Sequence, residues 1–179
     1  MQLEQLLWEN DKWIVTSSNE NFSTPQLVIY FGANSNLENP NIWNSLRDRY
    51  PDSVIVGCSS AGEIIEDEVL DDSVVVTAIH FEKSEIKLAN DSVSSAADSF
   101  EAGKRLGEEL VGDELKGIWL ISEGLNVNGS ELVNGITSII GDKCSISGGL
   151  AGDNDRFKIT RVSANNIPKK NQIAAIVLH

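Results

Sequence analysis

Two segments of the sequence combine glycines, small residues and one acid in a pattern that can bind a small ligand. One segment runs from Val54 to Glu63 and the other from Ser145 to Asp153, and each continues a strand-like run into Ala-Gly-acid. Glycines let a ligand approach the backbone, and successive N–H groups in a turn can hold an anion such as a carboxylate. The two acids lie 153 − 63 = 90 residues apart and can receive an ammonium group. The pattern therefore favours a zwitterion such as an amino acid.

The predicted binding residues come from these two segments and from a loop in the second half. Ser122, Glu123 and Asn126 follow a predicted strand, at the place where open α/β sheets present ligand-binding loops. The alternative is that the glycines let strands cross, the acids cap turns and the loop is only solvated. The binding residues in the two segments are Gly57, Cys58, Ser59, Ser60, Gly62, Glu63, Gly148, Gly149, Gly152 and Asp153.

Ser59 stands in a degenerate nucleophile-elbow sequence, with His80 or His179 as the candidate base. A true elbow runs directly into a helix, whereas an acidic stretch and another strand are predicted to follow Ser59. The second segment has Leu150 near the corresponding place and no serine in the turn. The sequence therefore predicts a protein without catalytic activity, and a serine hydrolase that uses Ser59 is the alternative.

Side chains that bind metals or cofactors are few. The sequence has two histidines and two cysteines, and no spacing typical of a zinc site. A haem needs an axial ligand and a large apolar pocket, and His80 is the only internal histidine. We predict no cofactor, with haem bound through His80 as an alternative. Cys58 is expected to be a buried structural thiol.

The same order of predicted elements surrounds both motifs, which indicates an internal duplication. Each half contains an apolar strand, a capped helix, the motif strand and a further strand. Pro40 suits the first position of the first helix, and Glu131 stands three residues after the cap of the second. The predicted elements are strands at 27–31 and 117–121, helices capped by Asn39 and Asn128, and strands at 74–80 and 173–179.

These elements predict one α/β domain over residues 1–179, with α+β as the alternative class. Two pseudo-repeats of strand-helix-strand-strand, about 26–82 and 116–179, form mixed sheet structure with helices packed outside. The sequence leaves open whether there is one sheet or two. The polar stretch 83–95 is the predicted linker, and the alternating run 157–162 is predicted to extend an insertion in the second half.

Two further segments lie outside the duplication. Apolar residues on both sides of 9–12 predict a hairpin in which Trp8 and Trp13 pair across the strands. Apolar residues at helical spacing predict an amphipathic connecting helix at about 94–111. Gly103 and Gly107 lie one turn apart on that helix and permit close packing.

The charge balance argues against some partners. Fourteen basic and 27 acidic residues give a net charge of −13, with acids concentrated at 63–72 and 108–114. Such a surface repels nucleic acid and anionic lipid. The N-terminal residues lack a signal sequence, no stretch is long enough to span a bilayer, and two cysteines cannot form a secreted disulfide framework. We therefore expect a cytoplasmic protein that binds neither nucleic acid nor membrane.

The linked motifs resemble the two halves of the FIST N domain. The first-half resemblance lies in residues 57–64 and 72–76, and the second-half resemblance in 121–126, Asn128-Gly129 and 147–153. It covers roughly residues 10–179.

The resemblance implies an intracellular sensory domain of bacterial signal transduction that binds small ligands, with amino acids suggested. Some FIST proteins bind haem and respond to nitric oxide. It also implies a companion C-terminal FIST domain, or an output protein such as a histidine kinase, as partner. Because the sequence ends at His179, we expect part of a longer protein or a minimal member.

Overall fold

The computed structural model describes residues 1–112, 115–142 and 144–179. Asp113 and Glu114, which belong to one of the predicted acidic concentrations, lie outside the described residues. The helices are α1 (Asn34–Leu37), α2 (Pro40–Arg49), α3 (Ser99–Leu110) and α4 (Gly129–Ile140). The strands are β1 (Gln2–Glu9), β2 (Lys12–Ser18), β3 (Leu27–Ala33), β4 (Val54–Ser60), β5 (Glu63–Ile65), β6 (Glu68–Leu70), β7 (Val74–His80), β8 (Ile86–Ser92), β9 (Gly117–Ser122), β10 (Ser145–Leu150), β11 (Val162–Ala164) and β12 (Gln172–Leu178).

The strands form two larger mixed sheets, which confirms the predicted α/β class and answers the open question of sheet number. Sheet 1 has the order β11-β4-β3-β7-β1-β2, and sheet 2 has the order β10-β9-β12-β8. One pair in each sheet is parallel, β3 with β4 and β9 with β10, and the other pairs are antiparallel. The order β4-β3-β7-β1 therefore recurs in sheet 2 as β10-β9-β12-β8. A separate hairpin joins β5 and β6.

Three apolar clusters hold the layers together. One joins α2 to sheet 1, another joins α3 and α4 to sheet 2, and the third lies between the two sheets. The third cluster includes Val56 and Cys58 from β4 and Ile121 and Ile176 from sheet 2. The two sheets therefore face each other, and both halves contribute to one shared core. Burying apolar side chains of this size stabilises the fold by about 1.5–3 kcal/mol each.

The predicted N-caps are present at the start of the two helices that flank the parallel strand pairs. Asn39 Oδ1 accepts a hydrogen bond from the Asn41 N–H (3.0 Å), and Pro40 begins α2. Asn128 Oδ1 accepts from the Glu131 N–H (3.2 Å) at the start of α4. These bonds satisfy N–H groups that have no partner inside the helix.

The predicted N-terminal hairpin is confirmed as β1 and β2. Trp8 lies opposite Trp13 in the register, with their ring centroids 4.8 Å apart in an edge-to-face arrangement. Both rings pack against the α2 side of sheet 1.

Two local predictions were wrong. The stretch 83–95 is not a linker, because residues 86–92 form β8, which pairs with β12 along its whole length. The run 157–162 is not a strand, because the Lys158 and Ile159 N–H groups donate to the Asp153 carboxylate and β11 begins only at Val162.

The predicted connecting helix is shorter at its start than expected, because α3 begins at Ser99 after a 3₁₀ turn over 96–98. None of the helices in the described part of the chain is long and apolar enough to cross a membrane.

Candidate functional site

The two sequence motifs meet where the parallel strand pairs end. The Gly152 N–H donates to the Ser59 carbonyl oxygen (2.8 Å), and the Ala151 N–H donates to the Ser122 carbonyl oxygen (2.8 Å). A Cβ on Gly152 would lie 3.3 Å from the Ala61 nitrogen, so the two chain segments are close to contact there. Gly57, Gly148 and Gly149 lie within β4 and β10, whereas Gly62 and Gly152 follow these strands.

The register places Gly57 and Gly148 at equivalent positions. Gly57 lies opposite Tyr30 in the β3–β4 pair, and Gly148 lies opposite Leu120 in the β9–β10 pair. The offset of these glycines is 148 − 57 = 91, one residue more than the offset of 90 between the two acids. The second copy is therefore one residue shorter between its glycine and its acid.

Glu63 is buried and its carboxylate is bonded within the protein. It accepts hydrogen bonds from Ser60 Oγ (2.7 Å), the Ser73 N–H (3.2 Å) and Ser73 Oγ (2.9 Å). Only 1% of the surface of Glu63 is exposed. These contacts hold the end of β4 against the residue that precedes β7.

Asp153 organises the loop that follows β10. Its carboxylate accepts hydrogen bonds from the Lys158 and Ile159 N–H groups (3.0 and 3.1 Å) and from Asn34 Nδ2 (3.2 Å), and it pairs with Arg156 (3.0 Å). Burial acts to raise the pKa of this carboxyl, but these donors together with the Arg156 guanidinium outweigh burial and lower it. Asp153 is therefore negatively charged near neutral pH, and its carboxylate contacts residues of the loop that follows β10.

Glu123 is a third buried acid, and it bonds to its own loop. It accepts hydrogen bonds from Thr160 Oγ1 (3.2 Å), the Leu125 N–H (3.2 Å) and the Asn126 N–H. The Asn126 side chain reaches outward to Asn171 Oδ1 (3.0 Å). Glu123 and Asn126 thus connect the end of β9 to neighbouring loops.

Ser59 and Cys58 are buried in β4. Ser59 Oγ accepts a hydrogen bond from the Arg161 N–H (3.0 Å), whereas the His80 ring donates through Nδ1 to the Thr24 carbonyl oxygen (2.8 Å). His80 is therefore not paired with Ser59 as the base that a serine hydrolase needs. Burial raises the pKa of the Cys58 thiol to about 12, so it stays protonated near neutral pH.

The space outside Gly57 is filled by an aromatic ring. A Cβ on Gly57 would lie 2.6 Å from ring atoms of Tyr30 and would also meet the Tyr30 carbonyl oxygen. Tyr30 is 1% exposed and packs with α2 in the first-half core. Gly57 therefore makes room for a core side chain, the Tyr30 ring.

The corresponding space in the second half is an open cavity of about 490 Å³ between α4 and the outer face of β9 and β10. Leu120 stands at the position that Tyr30 has in the first half. Gly148 has φ of 149° and approaches the Leu120 carbonyl oxygen so closely that no Cβ fits. The cavity is lined by Leu120, Ser122, Gly129, Leu132, Val133, Ile146, Ser147, Gly148, Gly149 and Leu150.

One wall of this cavity carries a polar group with no partner. Ser122 is 1% exposed, and its Oγ has no hydrogen-bond partner among the residues that the structure describes. Buried hydroxyl groups normally have such a partner. The register places Ser122 opposite Leu150, the apolar residue at the rim, which is 52% exposed.

The N-terminus of α4 lies beside the same cavity. Asn128 caps the Glu131 N–H, and the Leu132 N–H donates to the Asn128 carbonyl oxygen (2.9 Å). The N–H groups of Gly129 and Ser130 have no acceptor within the helix, since they belong to its first turn. Gly129 lines the cavity directly.

The predicted site residues thus fall into separate groups. Ser122, Gly148 and Gly149 line the cavity at α4. Ser60, Gly62 and Glu63 line a smaller hollow of about 300 Å³ with Phe31 and Val75. The predicted site residues that line neither space are Gly57, Cys58, Ser59, Glu123, Asn126, Gly152 and Asp153.

Sequence reasoning missed the apolar walls of the cavity. Leu120, Leu132, Ile146 and Leu150 follow ordinary strand and helix periodicity, which is also typical of core residues. The available signal was that Leu120 replaces Tyr30 at the equivalent position, 120 − 30 = 90 residues along the duplicated halves, which indicates different packing beside the two glycines.

Comparisons with known proteins agree with the shared architecture. A search of curated proteins finds no match to this chain. The model of the FIST N domain, a sensory domain of signal transduction, matches residues 26–179, which include both motifs and both parallel strand pairs and exclude β1 and β2. On this match the chain belongs to the FIST N domain family.

Proposed function

We propose that this domain senses a small metabolite that binds in the cavity between α4, β9 and β10 and is not chemically altered there. The observation that carries the proposal is the Ser122 hydroxyl, which is buried in the cavity wall and has no hydrogen-bond partner among the described residues. A buried hydroxyl without a partner is unfavourable, and a bound ligand would satisfy it.

The size and surface of the cavity support a small-molecule site. Its volume of about 490 Å³ lies within the range of roughly 300–1,000 Å³ that is typical of ligand pockets. Its walls are mainly apolar with a few polar groups, which is also typical of such pockets. The exposed side chains of Leu150 and Val133 form an apolar rim that a ligand would cover.

Glu63 and Asp153, the two acids predicted to receive an ammonium group, do not support that part of the prediction, and neither does the third buried acid, Glu123. Glu63, Glu123 and Asp153 are each at most 5% exposed, and each accepts several hydrogen bonds from the protein. None of them lines the cavity at α4. The ligand of this proposal therefore binds at the second motif, away from all three carboxylates.

Haem and serine-hydrolase chemistry gain no support from the described geometry. The cavity lining contains no histidine, cysteine or methionine that could be an axial haem ligand. Ser59 is fully buried beside the Arg161 backbone.

A route from the cavity to the first half supports a sensory role. A ligand that contacts Gly148 and Leu150 touches β10. The segment that continues β10 donates the Gly152 N–H to the Ser59 carbonyl oxygen in β4.

The output partner in this proposal is a companion C-terminal FIST domain or a signalling protein such as a histidine kinase. The edge position of β10 in sheet 2 supports a partner there, since unpaired strand edges readily accept another chain.

The proposed compartment is the cytoplasm. Its support is that Cys58 and Cys144 are both free, as is usual for proteins of reducing compartments.

Thermal unfolding against a panel of small metabolites tests the proposed site. Val133→Trp places a large side chain at the rim, and Val69→Trp makes the same change at an exposed residue of β6 that does not line the cavity. A ligand at 100 times its Kd stabilises a protein by about 2.7 kcal/mol, which raises Tm by roughly 5–10 °C for a domain of this size. We expect at least one compound to stabilise the wild type and Val69→Trp but not Val133→Trp.

Two results would contradict the proposed site. A compound that stabilises all three proteins equally binds outside the cavity. If native mass spectrometry of freshly purified protein and the panel both give no bound compound, the sensory ligand does not bind to this domain alone.

A further inference from the structure

We infer that the cavity at α4 binds a small monocarboxylate that has an apolar body and no amino group. This inference rests on the proposed function, because it concerns the same cavity. It identifies the chemical class of the ligand from the distribution of donors, apolar walls and charges around that space.

The polar end of the cavity offers hydrogen-bond donors at the N-terminus of α4, whose first turn also carries the acidic Glu131 outside the cavity lining. The first-turn N–H groups of Gly129 and Ser130 are free of intrahelical acceptors, and a helix N-terminus has a partial positive charge of about +0.5. Ser122 lines the same space, and rotation of its side chain would let its unpartnered hydroxyl donate to the same anion. Leu150 links these groups, because it pairs with Ser122 and lies 3.7 Å from the position of a Cβ on Gly129.

The opposite end of the cavity is suited to an apolar group. Leu120 and Leu132 are buried at its base, and Ile146 packs against the same core cluster. Leu150 and Val133 are partly exposed and can close over a bound aliphatic chain. Covering these side chains with a ligand removes apolar surface from water, which favours binding.

The distribution of charge argues against an amino acid. The lining residues include no acidic side chain, so an ammonium group would lose its water without gaining a counter-charge. They include no lysine or arginine either, so the only groups facing an anion are N–H and hydroxyl donors. One carboxylate matches these donors, whereas a phosphate with two negative charges would lack a cation.

Binding of three closely matched probes tests the inference. The probes are 4-methylpentanoate, its 2-amino derivative L-leucine, and 4-methylpentanamide, which share one aliphatic chain. Titration is followed by ¹H–¹⁵N NMR on the full chain. We expect 4-methylpentanoate to bind at least about tenfold more tightly than either of the others. L-leucine must also bury an ammonium group without a counter-charge. The amide lacks the charged acceptor, and a hydrogen bond to a charged group is worth about one factor of ten or more. We also expect its binding to shift the Gly129 and Ser130 amide signals.

A pair of serine variants shows whether the donor is correctly assigned. Ser122→Ala is expected to weaken 4-methylpentanoate binding about tenfold and to weaken binding of the uncharged 4-methylpentanamide less. Ser138→Ala is the control, because that exposed hydroxyl already donates to the Gly135 carbonyl oxygen (2.6 Å) and lies outside the cavity lining.

The outcomes separate this inference from the proposed function. If L-leucine or the amide binds as tightly as the acid, and Val133→Trp abolishes that binding, the carboxylate class is wrong while the ligand-binding function stands. If none of the three probes shifts signals of the cavity residues at millimolar concentration, the inference is also overturned. The metabolite panel then decides the proposed function independently.

Discussion

At the residue scale, the buried carboxylates of this domain hold loops in place. Glu63 bonds Ser60 and Ser73, and Asp153 bonds backbone N–H groups of residues that follow it in the chain. A buried carboxylate is costly unless hydrogen bonds replace its hydration, and these contacts do so. Changing these acids will therefore alter the stability of the domain and the order of its loops.

Asp153→Asn is expected to change how stability depends on pH. The hydrogen bonds lower the folded-state pKa of Asp153 below the unfolded value of about 3.9. Its contribution is therefore complete above that unfolded value and is lost as pH falls through the folded pKa. Urea unfolding from pH 7 to pH 2 should show the variant less stable by about 1–3 kcal/mol at pH 7, with the difference shrinking in acid.

The control for this comparison is Asp67→Asn, since Asp67 is exposed and makes no ion pair within the described residues. Its stability profile should follow that of the wild type. A constant difference between Asp153→Asn and the wild type across the pH range would show that the charge of Asp153 is not involved.

The two cysteines are expected to differ in reactivity. Burial raises the pKa of the Cys58 thiol to about 12 and also raises the pKa of Cys144, which is only partly buried. Because the thiolate is the reactive form, iodoacetamide at pH 8 should modify Cys144 first and Cys58 only after unfolding in urea. Peptide mass spectrometry measures both rates. Equal rates in the folded protein would show that solvent reaches β4.

At the element scale, glycines set the crossing of α3 and α4. A Cβ on Gly103 would meet the Leu132 carbonyl oxygen and lie 3.0 Å from the Cα of Gly135, and a Cβ on Gly135 would meet the Phe100 carbonyl oxygen. The two helix backbones are therefore in contact. The sequence predicted close packing by α3, but Gly135, the residue on the other helix that allows it, was not identified.

Gly103→Ala is expected to destabilise the domain by about 1–3 kcal/mol, because the added methyl group forces the helices apart. This cost exceeds the gain of about 1 kcal/mol in helix propensity. Chemical denaturation followed by circular dichroism measures the change. Gly117→Ala is the matched control, since the nearest atom to its Cβ would be 3.8 Å away. If Gly103→Ala is as stable as this control, the helices can separate without cost.

Strand β8 was predicted as a linker because it lies at a sheet edge, where the strand pattern of buried residues is weak. β8 pairs only with β12 in its sheet, and of its residues only Ala89 is fully buried. Polar and charged side chains are favourable on edge strands because they discourage pairing with other chains. The composition of 83–95 therefore resembles a linker although 86–92 is a strand.

At the scale of the whole molecule, the two halves are joined by a shared core and by exchanged hydrogen bonds. β11 comes from the second half of the chain but pairs with β4 of sheet 1. Asn165 Oδ1 accepts from the Ile55 N–H (2.8 Å), and the cluster between the sheets contains residues of both. Neither half can therefore bury its inner sheet face alone.

We expect the domain to unfold in one cooperative transition. In a Trp119→Phe variant, the remaining tryptophans, Trp8, Trp13 and Trp43, all belong to the first half, so their fluorescence reports on sheet 1 and α2. Circular dichroism reports on both halves. The two urea midpoints should coincide, as they do in two-state unfolding. Separate midpoints would show that the halves unfold independently.

The sequence by itself determined the local elements and their order. Periodicity and capping depend on residues within a few positions of each other, so the hairpin, the caps of α2 and α4 and the strands beside the motifs could be predicted. The recurrence of these elements also led to the FIST N domain, to which the chain belongs.

Only the tertiary structure decided how the motifs are used. The donor to Asp153 from Asn34 lies 119 residues away, so no local pattern shows that this acid is already bonded. The cavity depends on how α4 lies over β9 and β10 beside Gly148, whereas in the first half Tyr30 fills the space beside Gly57. Whether the space beside a side chain is filled or empty depends on strand register and helix packing. Both bring together residues that are distant in sequence.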